Sequence, residues 1–510
     1  MRRIGIDVGG TNTDAVLVEG SLVLGSYKTT TTSDVTTGIT NALAGVLGET
    51  GADPGSCDAV MIGTTHFTNA VAQRRWLTRV AAIRICLPAS RSLEPFIDWP
   101  PDLRDKVLGD VILLEGGHEC DGRPIVPFDE SGMRAAARAI RHKGLTSVGI
   151  TSVFSPLTPE FEERAEAILR EEYADVAVTL SHDLGRIGLL ERENATLLNA
   201  SLQELARKTT QAFVEAIRRS GLDAQLYLTQ NDGTVMLAEM AERFPIFSFA
   251  SGPTNSMRGG AFLSGLANAV VVDVGGTTTD AGMLTNGFPR EANNVVEIGG
   301  VRTLFRMPDV VSLALGGGTL VDRATLTIGP ESTGYELMQR GLVFGGSELT
   351  CTDIAVAAGL ISLGDRSRIA DLPRELVDAT LEKIHQMIED TIDRIKTDAA
   401  DVPVIAVGGG AFLVPDRMKG VSRVLKVPNG GVANAIGAAI AQVSGECDQI
   451  FHNLPRDQMI AAARDIAFSR AIAGGADPST LEVVDVEDLP LAYMPGNSVR
   501  ARVRVVGDIL

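Results

Sequence analysis

The nine residues Asp7-Val8-Gly9-Gly10-Thr11-Asn12-Thr13-Asp14-Ala15 return with one substitution as Asp273-Val274-Gly275-Gly276-Thr277-Thr278-Thr279-Asp280-Ala281. Each copy follows an apolar run, at residues 4–6 or 269–272, and leads into another, at residues 15–18 or 282–284. Read as strand, glycine turn and strand, the repeat predicts two matching hairpins far apart in one chain. Paired glycines tolerate positive φ and lack a Cβ, so backbone N–H groups can approach a bulky anion, and threonine hydroxyls add rotatable donors. Such a concavity suits a phosphate chain. The aspartate closing each incoming strand, Asp7 or Asp273, sets a hard carboxylate at the mouth of the turn, where it can hold water of a Mg²⁺ that bridges phosphates. A P-loop would run strand, loop, helix and carry Gly-Lys-Ser/Thr, and a dinucleotide fingerprint would enter a helix through its third glycine. Neither pattern is present. Two bare hairpins would need the glycines but not the flanking carboxylates.

At 510 residues the chain exceeds a single ordinary core, so two or three domains are expected. The formal net charge of -18 speaks against a nucleic-acid or anionic-membrane surface, and an anionic ligand must be held by local donors. No apolar run approaches the roughly 18 residues of a membrane span. Residues 1–20 read as strand and turn rather than signal peptide, so a cytoplasmic protein is expected. The five cysteines, Cys57, Cys86, Cys120, Cys351 and Cys447, form no CxxC pair and fit reduced thiols.

Strands are expected at residues 2–7, 14–19 and 21–28, then a helix near 37–47 and an α/β stretch with strands at 59–62, 79–85 and 147–153 and helices at 131–143 and 159–172. Helical periodicity covers 189–220, a small-residue helix opens at Ser251-Gly252-Pro253, and further helices are expected at 380–397 and 433–443. The buried strand 403–407 delivers Gly408, Gly409 and Gly410, bare backbone against which adenine and ribose can lie; Gly316, Gly317 and Gly318 are a second candidate for that role. Domains are drawn at 1–190, with the first phosphate turn, at 191–445, with the second turn and the adenosine motif, and at 446–510, a small C-terminal α/β appendage.

The order of phosphate turn, second phosphate turn, then strand and glycines is the layout of the actin, Hsp70 and sugar-kinase superfamily. The expected fold class is therefore α/β, a two-lobed actin-like ATPase (ribonuclease H-like) fold with duplicated phosphate-binding β-turns. Further motifs make the chain resemble the N-methylhydantoinase A-like members of the hydantoinase/oxoprolinase family over nearly its whole length. They include Lys28 with Thr30-Thr31-Thr32, Gly63-Thr64-Thr65 with Thr68-Asn69-Ala70, Ser181-His182 before Glu191-Arg192, and Leu197-Leu198-Asn199-Ala200. Gln230-Asn231, Ile298-Gly299-Gly300-Val301 and Gly329-Pro330-Glu331-Ser332 continue the series. The resemblance implies a cyclic-amide substrate such as a hydantoin or 5-oxoproline, ATP and Mg²⁺, and a second subunit or homo-oligomer. Two departures stand out: Asp309 is followed by Val310-Val311 where the family carries a histidine, and Gly334-Tyr335-Glu336-Leu337 replaces an Asp-Pro-Gly-Pro stretch.

The candidate roles follow. Asp7 and Asp273 position metal. Gly9, Gly10, Thr11, Asn12 and Thr13, with Gly275, Gly276, Thr277 and Thr278, contact phosphate, and Gly408, Gly409 and Gly410 contact adenosine. Lys28 is a phosphate charge partner. Asp14 and Asp280 either orient water or cap their hairpins. Thr64, Thr65 and Asn69 are substrate-side candidates, although a polar strand-to-helix turn accounts for them too, and His66 beside them is a further one. His118-Glu119-Cys120-Asp121 gathers ligand types, but neighbouring residues point apart and a loop is expected. The expected activity is ATP-dependent ring opening of a cyclic amide; the competing expectation is an actin-like ATPase that remodels or activates a partner enzyme.

Overall fold

The structure is a computed structural model describing all of residues 1–510 except 10–11, 32–34, 186, 293–294 and 493–495. Gly10 and Thr11, both expected at phosphate, lie outside the described residues.

β1 (Arg2–Val8), β2 (Asn12–Glu19) and β3 (Leu22–Thr30) form an antiparallel meander, and β4 (Ala59–Thr64) joins parallel to β1. Alternate side chains serve opposite faces. Ile4, Ile6, Ala15 and Leu17 pack with Ile39, Leu43 and Val46 of the helix Val35–Thr50, while Val16 and Val18 pack with Ala435, Ile436 and Ala439 of the helix Ala433–Ala439. An inserted layer follows, in which β5 (Val80–Leu87), β6 (Leu108–Glu115), β7 (Ser147–Ser152) and β8 (Ala177–Leu180) make a parallel sheet in the order β6-β5-β7-β8. The long helix Leu189–Arg219 returns the chain to the first sheet, where β9 (Gln225–Thr229) lies parallel to β4 and β10 (Val235–Leu237) antiparallel to β9.

The second lobe repeats the first lobe's start. β11 (Ala269–Val274), β12 (Thr279–Thr285) and β13 (Phe288–Pro289) form the meander. The hairpin of β14 (Val296–Ile298) and β15 (Val301–Thr303) precedes β16 (Val310–Leu313), which pairs with β12. After the hairpin of β17 (Thr319–Val321) and β18 (Ile328–Ser332), β19 (Val402–Val407) lies parallel to β11 as β4 does to β1, and β20 (Val421–Lys426) follows. The helix before β19 runs Arg374–Ile395, starting earlier than its periodicity suggested, immediately after Pro373.

Residues 446–510 do not stand apart as an appendage. β21 (Val443–Phe451) pairs with β10, and β22 (Glu482–Pro490) and β23 (Val499–Gly507) continue outward, giving the nine-stranded order β22-β23-β21-β10-β9-β4-β1-β2-β3. The division at residue 190 likewise cuts through this sheet, since β9 and β10 belong to it. The expected helix 433–443 stops at Ala439 because Val443 is already paired with Val235. Alternation identifies a strand; it does not say which strand lies beside it.

Between the lobes the helices Ser251–Ser264 and Ala433–Ala439 cross. A Cβ on Gly259 would fall 1.9 Å from the Ala433 carbonyl oxygen, and one on Gly437 1.9 Å from that of Asn255. The two backbones therefore touch. Among the described residues no helix is long and apolar enough to cross a membrane.

Candidate functional site

Both hairpin turns close in the same way: Gly9 N–H donates to the Asn12 carbonyl at 3.0 Å, and Gly275 N–H to that of Thr278 at 2.9 Å. Gly9, Asn12, Gly275, Gly276, Thr277 and Thr278 keep solvent access. Thr13 does not. It is wholly buried with its hydroxyl 3.2 Å from that of Thr31, which itself donates to the Gly9 carbonyl at 2.7 Å, so Thr13 braces the turn from behind rather than offering a donor at its mouth. Thr279 stands likewise, donating to the Leu315 carbonyl at 2.6 Å. The strand alternation that aims one threonine outward aims the next one inward.

Register sets Asp7 directly opposite Asp14 and Asp273 opposite Asp280. Asp7 accepts from Asn434 Nδ2 at 2.7 Å, Asp273 from the Ser256 hydroxyl, and Asp280 from that of Ser312. These three partners come from the two crossing helices and from β16. Burial, then the charges of Asp14 and Asp273, push the Asp7 carboxyl up to about 7. Burial lifts Asp273 to about 6 against the Ser256 hydrogen bond, with Asp280 and Asp14 adding to the rise. Burial also raises Asp14, opposed by Lys28, and Asp280, opposed by Ser312. Lys28, opposite Asp14 on β3, sits 2.9 Å from its Oδ1 and also reaches the Gly431 carbonyl at 3.4 Å.

Gly408 ends β19 at φ +85°, and a Cβ there would stand 2.2 Å from Asp273 Oδ1. Gly408 N–H donates to the Gly430 carbonyl at 2.9 Å and Gly410 N–H to that of Val274 at 2.7 Å, which keeps this triplet beside the second turn. The other triplet has a different duty from the adenosine role considered for it. Gly317 N–H donates to the Gly275 carbonyl at 3.0 Å and Gly318 N–H to that of Gly276 at 2.7 Å, so residues 316–318 buttress the second turn itself.

The substrate-side candidates lie at the carboxyl end of β4, where Thr64 pairs with Val8. Thr64 is buried; its N–H donates to the Ser251 hydroxyl at 3.3 Å, and that hydroxyl donates to its carbonyl at 3.1 Å. His66 N–H donates to the Thr64 hydroxyl at 3.1 Å, and Asn69 Nδ2 to that of Thr65 at 3.2 Å. These bonds belong to the strand-to-helix turn, while Thr65 and Asn69 retain exposure. Burial lowers the pKa of the half-buried His66. A Cβ on Gly63 would lie 2.4 Å from Asn255 Nδ2 and 2.9 Å from Asp7 Oδ1, so β4 passes bare beneath Asp7. His118 is buried with its ring 4.2 Å from that of Phe161, and Asp121 pairs with Arg123. Among the described residues no three His, Cys, Asp or Glu side chains gather in a metal-binding group. Asp309, where the family histidine is missing, is tied to Arg290 at 2.6 Å.

Asn434, Ser256, Ser312 and Asn255 were not singled out from sequence. A polar residue within a small-residue helix, such as Asn434 in Ala-Asn-Ala-Ile-Gly-Ala-Ala, was the available signal.

The raised carboxyls have a consequence for pH. An unfolded aspartate ionises near pH 3.9, whereas Asp7 and Asp273 hold their protons to about 7 and 6. Between those limits the folded chain binds more protons, so metal-free stability falls as pH rises, by about 1.4 kcal/mol per pH unit for each carboxyl still protonated. The melting temperature in EDTA should drop from pH 5 to pH 8, and drop less in Asp7→Asn. Equal slopes would contradict the burial of that charge.

Two family patterns match the chain: the Hydantoinase/oxoprolinase N-terminal region over residues 3–173 and Hydantoinase/oxoprolinase over residues 192–367. The alpha subunit of the caprolactamase of Pseudomonas jessenii is 27% identical over 431 residues, covering 77% of this chain and 60% of its own length. The acetophenone carboxylase gamma subunit of Aromatoleum aromaticum is 27% identical over 407 residues, covering 70% of this chain and 53% of its own. This chain thus spans little more than half of those curated relatives. Among solved structures, the ATP-dependent caprolactamase from Pseudomonas jessenii aligns with TM-score 0.78 at 19% identity, covering 100% of this chain and 88% of that one. A nucleotide-free acetone carboxylase aligns with TM-score 0.67 at 18% identity, with coverage of 100% and 88%. The likeness shows the fold, the two-lobed actin-like ATPase fold expected from the repeated turns. With both patterns matched in order along one chain, the protein belongs to the hydantoinase/oxoprolinase family.

Proposed function

We propose that this protein is a hydrolase component that opens a cyclic amide by phosphorylating the amide oxygen with ATP. The observation that carries the reading is the mirrored pair of turns, with Asp7 buried and Asp273 half-buried at their mouths, each held by a residue of the crossing helices. An amide is a poor electrophile. Once its oxygen bonds to the γ-phosphorus and ADP departs, water adds to the activated carbon, the C–N bond breaks as the nitrogen takes a proton, and a second water hydrolyses the resulting acyl phosphate to carboxylate and phosphate. Backbone N–H groups of the two turns hold the phosphates, Gly408, Gly409 and Gly410 take adenosine, and Lys28 supplies a positive charge beside the first turn. Asp14 and Asp280 orient water from their positions across the hairpins. Thr65 and Asn69 face the substrate.

The donor chemistry fits Mg²⁺. Carboxyls whose pKa is raised first by burial and then by neighbouring carboxylates are short of positive charge, and sparse all-oxygen donors suit an ion that keeps most of its water. Asp7 and Asp273 would hold the ion through that water, and when bound it would neutralise the triphosphate. ATP and reduced thiols favour a cytoplasmic setting.

The second reading is an ATPase that remodels a partner enzyme, favoured by relatives that are named as subunits. Purified protein incubated with ATP, Mg²⁺ and a panel of hydantoins and lactams separates the two when ADP and ring opening are both followed. Ring opening coupled to ADP release is expected. ADP release indifferent to every cyclic amide, yet stimulated by a co-purifying protein, would overturn the first reading in favour of the second.

A further inference from the structure

Ile298-Gly299-Gly300-Val301 is the tip of a ribbon that the second lobe extends into the first. Its root lies on the second-lobe sheet between β13 and β16. There Arg290 N–H donates to the Met283 carbonyl of β12 at 2.7 Å, Asp309 N–H to that of Arg290 at 2.8 Å, and Ala292 N–H to that of Met307 at 2.9 Å. From Asp309 the chain passes at once into β16, whose Ser312 pairs with Asp280 and donates its hydroxyl to that carboxylate beside the second turn. The ribbon's apolar side chains, Ile298, Val301, Phe305 and Met307, are buried in the first lobe's core. Asn194 Nδ2 donates to the Arg302 carbonyl at 2.9 Å and Asn231 Nδ2 to that of Arg306 at 3.1 Å, so the ribbon is also hydrogen-bonded to the lobe it enters.

The tip ends on the helix His66–Ala72, which carries Asn69 and follows Thr65. Gly299 and Gly300 take φ +59° and +86°, and Cβ atoms there would stand 2.8 Å from Val71 Cγ1 and 2.6 Å from Pro100 Cγ, so only bare backbone seats this closely. Arg74, just past the end of the helix, completes the joint. Its Nη2 donates to the Gly299 carbonyl at 3.0 Å, its Nη1 to that of Val71 at 2.9 Å, and its Nε to Asp102 at 2.8 Å. Its backbone is left-handed at φ +55°, a conformation that a residue with a Cβ keeps only where its surroundings hold it. A second contact grips the same helix from further along the ribbon: Phe305 meets Phe249 edge to face with ring centroids 6.3 Å apart, and the Phe249 carbonyl accepts from the Thr68 hydroxyl at 2.7 Å.

We propose that this ribbon carries the nucleotide state of the second turn to the helix His66–Ala72, with Arg74 as the positioning residue that joins the two; the role rests on the nucleotide assignment above and not on which amide is opened. The reason is mechanical. A ribbon rooted beside Asp280 and inserted in the other lobe's core cannot follow one lobe without pulling on the other, and close-packed elements shift as units rather than stretch. Closing the second turn on phosphate therefore braces Val71 and Arg74, and with them Thr65 and Asn69, so the substrate side is set only once nucleotide is seated. Arg74 acts through the helix and not on the reacting atoms.

Hydrogen exchange of the amides in residues 66–73 tests this, with each protein saturated by Mg-AMPPNP at its own measured affinity. In the wild type the nucleotide should slow that exchange by about fivefold or more, the lower end of usual coupling between sites. In Arg74→Ala the ratio of free to loaded exchange rates should approach unity, and Arg74→Lys, which can still donate to the Gly299 carbonyl, should restore part of it. Phe305→Leu, which loosens the upper contact, reads the same ratio should Arg74→Ala fail to fold. A merely structural arginine would speed exchange equally with and without nucleotide, so a wild-type ratio in Arg74→Ala overturns the proposal, as does wild-type exchange indifferent to bound Mg-AMPPNP. A wild type that binds no Mg-AMPPNP overturns the nucleotide assignment and this role together, whereas failure of every cyclic amide to react strikes the proposed substrate alone.

Discussion

Asp7→Asn and Asp273→Asn are each expected to weaken Mg-nucleotide binding by roughly tenfold to a hundredfold, the worth of one charged hydrogen bond, about 1.5–3 kcal/mol. The two residues hold equivalent places in the duplicated hairpins, each opposite a second aspartate and each receiving one neutral donor from a crossing helix. Asparagine preserves shape but removes the charge that metal-bound water needs. Metal-free stability at pH 8 should move the other way in both variants, because the buried charge that raises Asp7 to about 7 and Asp273 to about 6 is gone. A residue of purely structural importance would lose stability under both conditions. Titration calorimetry with Mg-ADP, beside melting curves in EDTA, gives both readings; undiminished Mg-ADP affinity in both variants would remove the metal assignment.

Gly437→Ala should have the largest effect on stability. Its Cβ would be driven to 1.9 Å from the Asn255 carbonyl oxygen and 2.9 Å from the Gly259 nitrogen, both backbone atoms of the opposing helix. Side chains relieve overpacking by turning; backbone cannot, so the helices must separate. Overpacking typically costs about 1–3 kcal/mol, and the upper end is expected here, a fall in melting temperature of several degrees at about 2–4 °C per kcal/mol. Because the moved helices carry Asn434 and Ser256, the thermal shift produced by Mg-ADP should shrink as well. Gly48 supplies the contrast. It sits exposed in the helix Val35–Thr50, and a Cβ placed on it would meet nothing within 4 Å, so Gly48→Ala should stabilise by about 0.5–1 kcal/mol. A Gly437→Ala protein as stable as the wild type would mean that the crossing tolerates a gap.

The hairpins were legible because everything that defines them is local: aspartate, paired glycines, threonine and the flanking apolar runs are contiguous in sequence. The support of those aspartates was not, since Asn434 reaches Asp7 from the far end of the chain. Thr13, expected at phosphate, is turned inward by strand alternation toward Thr31, a direction fixed by β2 beginning at Asn12 rather than at residue 14. The triplet at residues 316–318 was a second candidate for adenosine, and its backbone bonds to Gly275 and Gly276 could be known only once β16 lay beside β12. Residues 446–510 read correctly as helix and strands and wrongly as an appendage, because strand pairing across such separation leaves no periodic trace.

That last pairing also bears on how the protein is made. β10 leaves the ribosome with its outer edge open, and its neighbour β21 is not synthesised until the whole second lobe has been, so the first sheet waits, at ordinary translation rates, on the order of ten seconds or more. Throughout that interval a strand edge is available to other chains. Chaperone demand during synthesis should therefore concentrate on the newborn first lobe, and expression at lower temperature or with a holdase that covers open edges should improve yield more than any change to the second lobe.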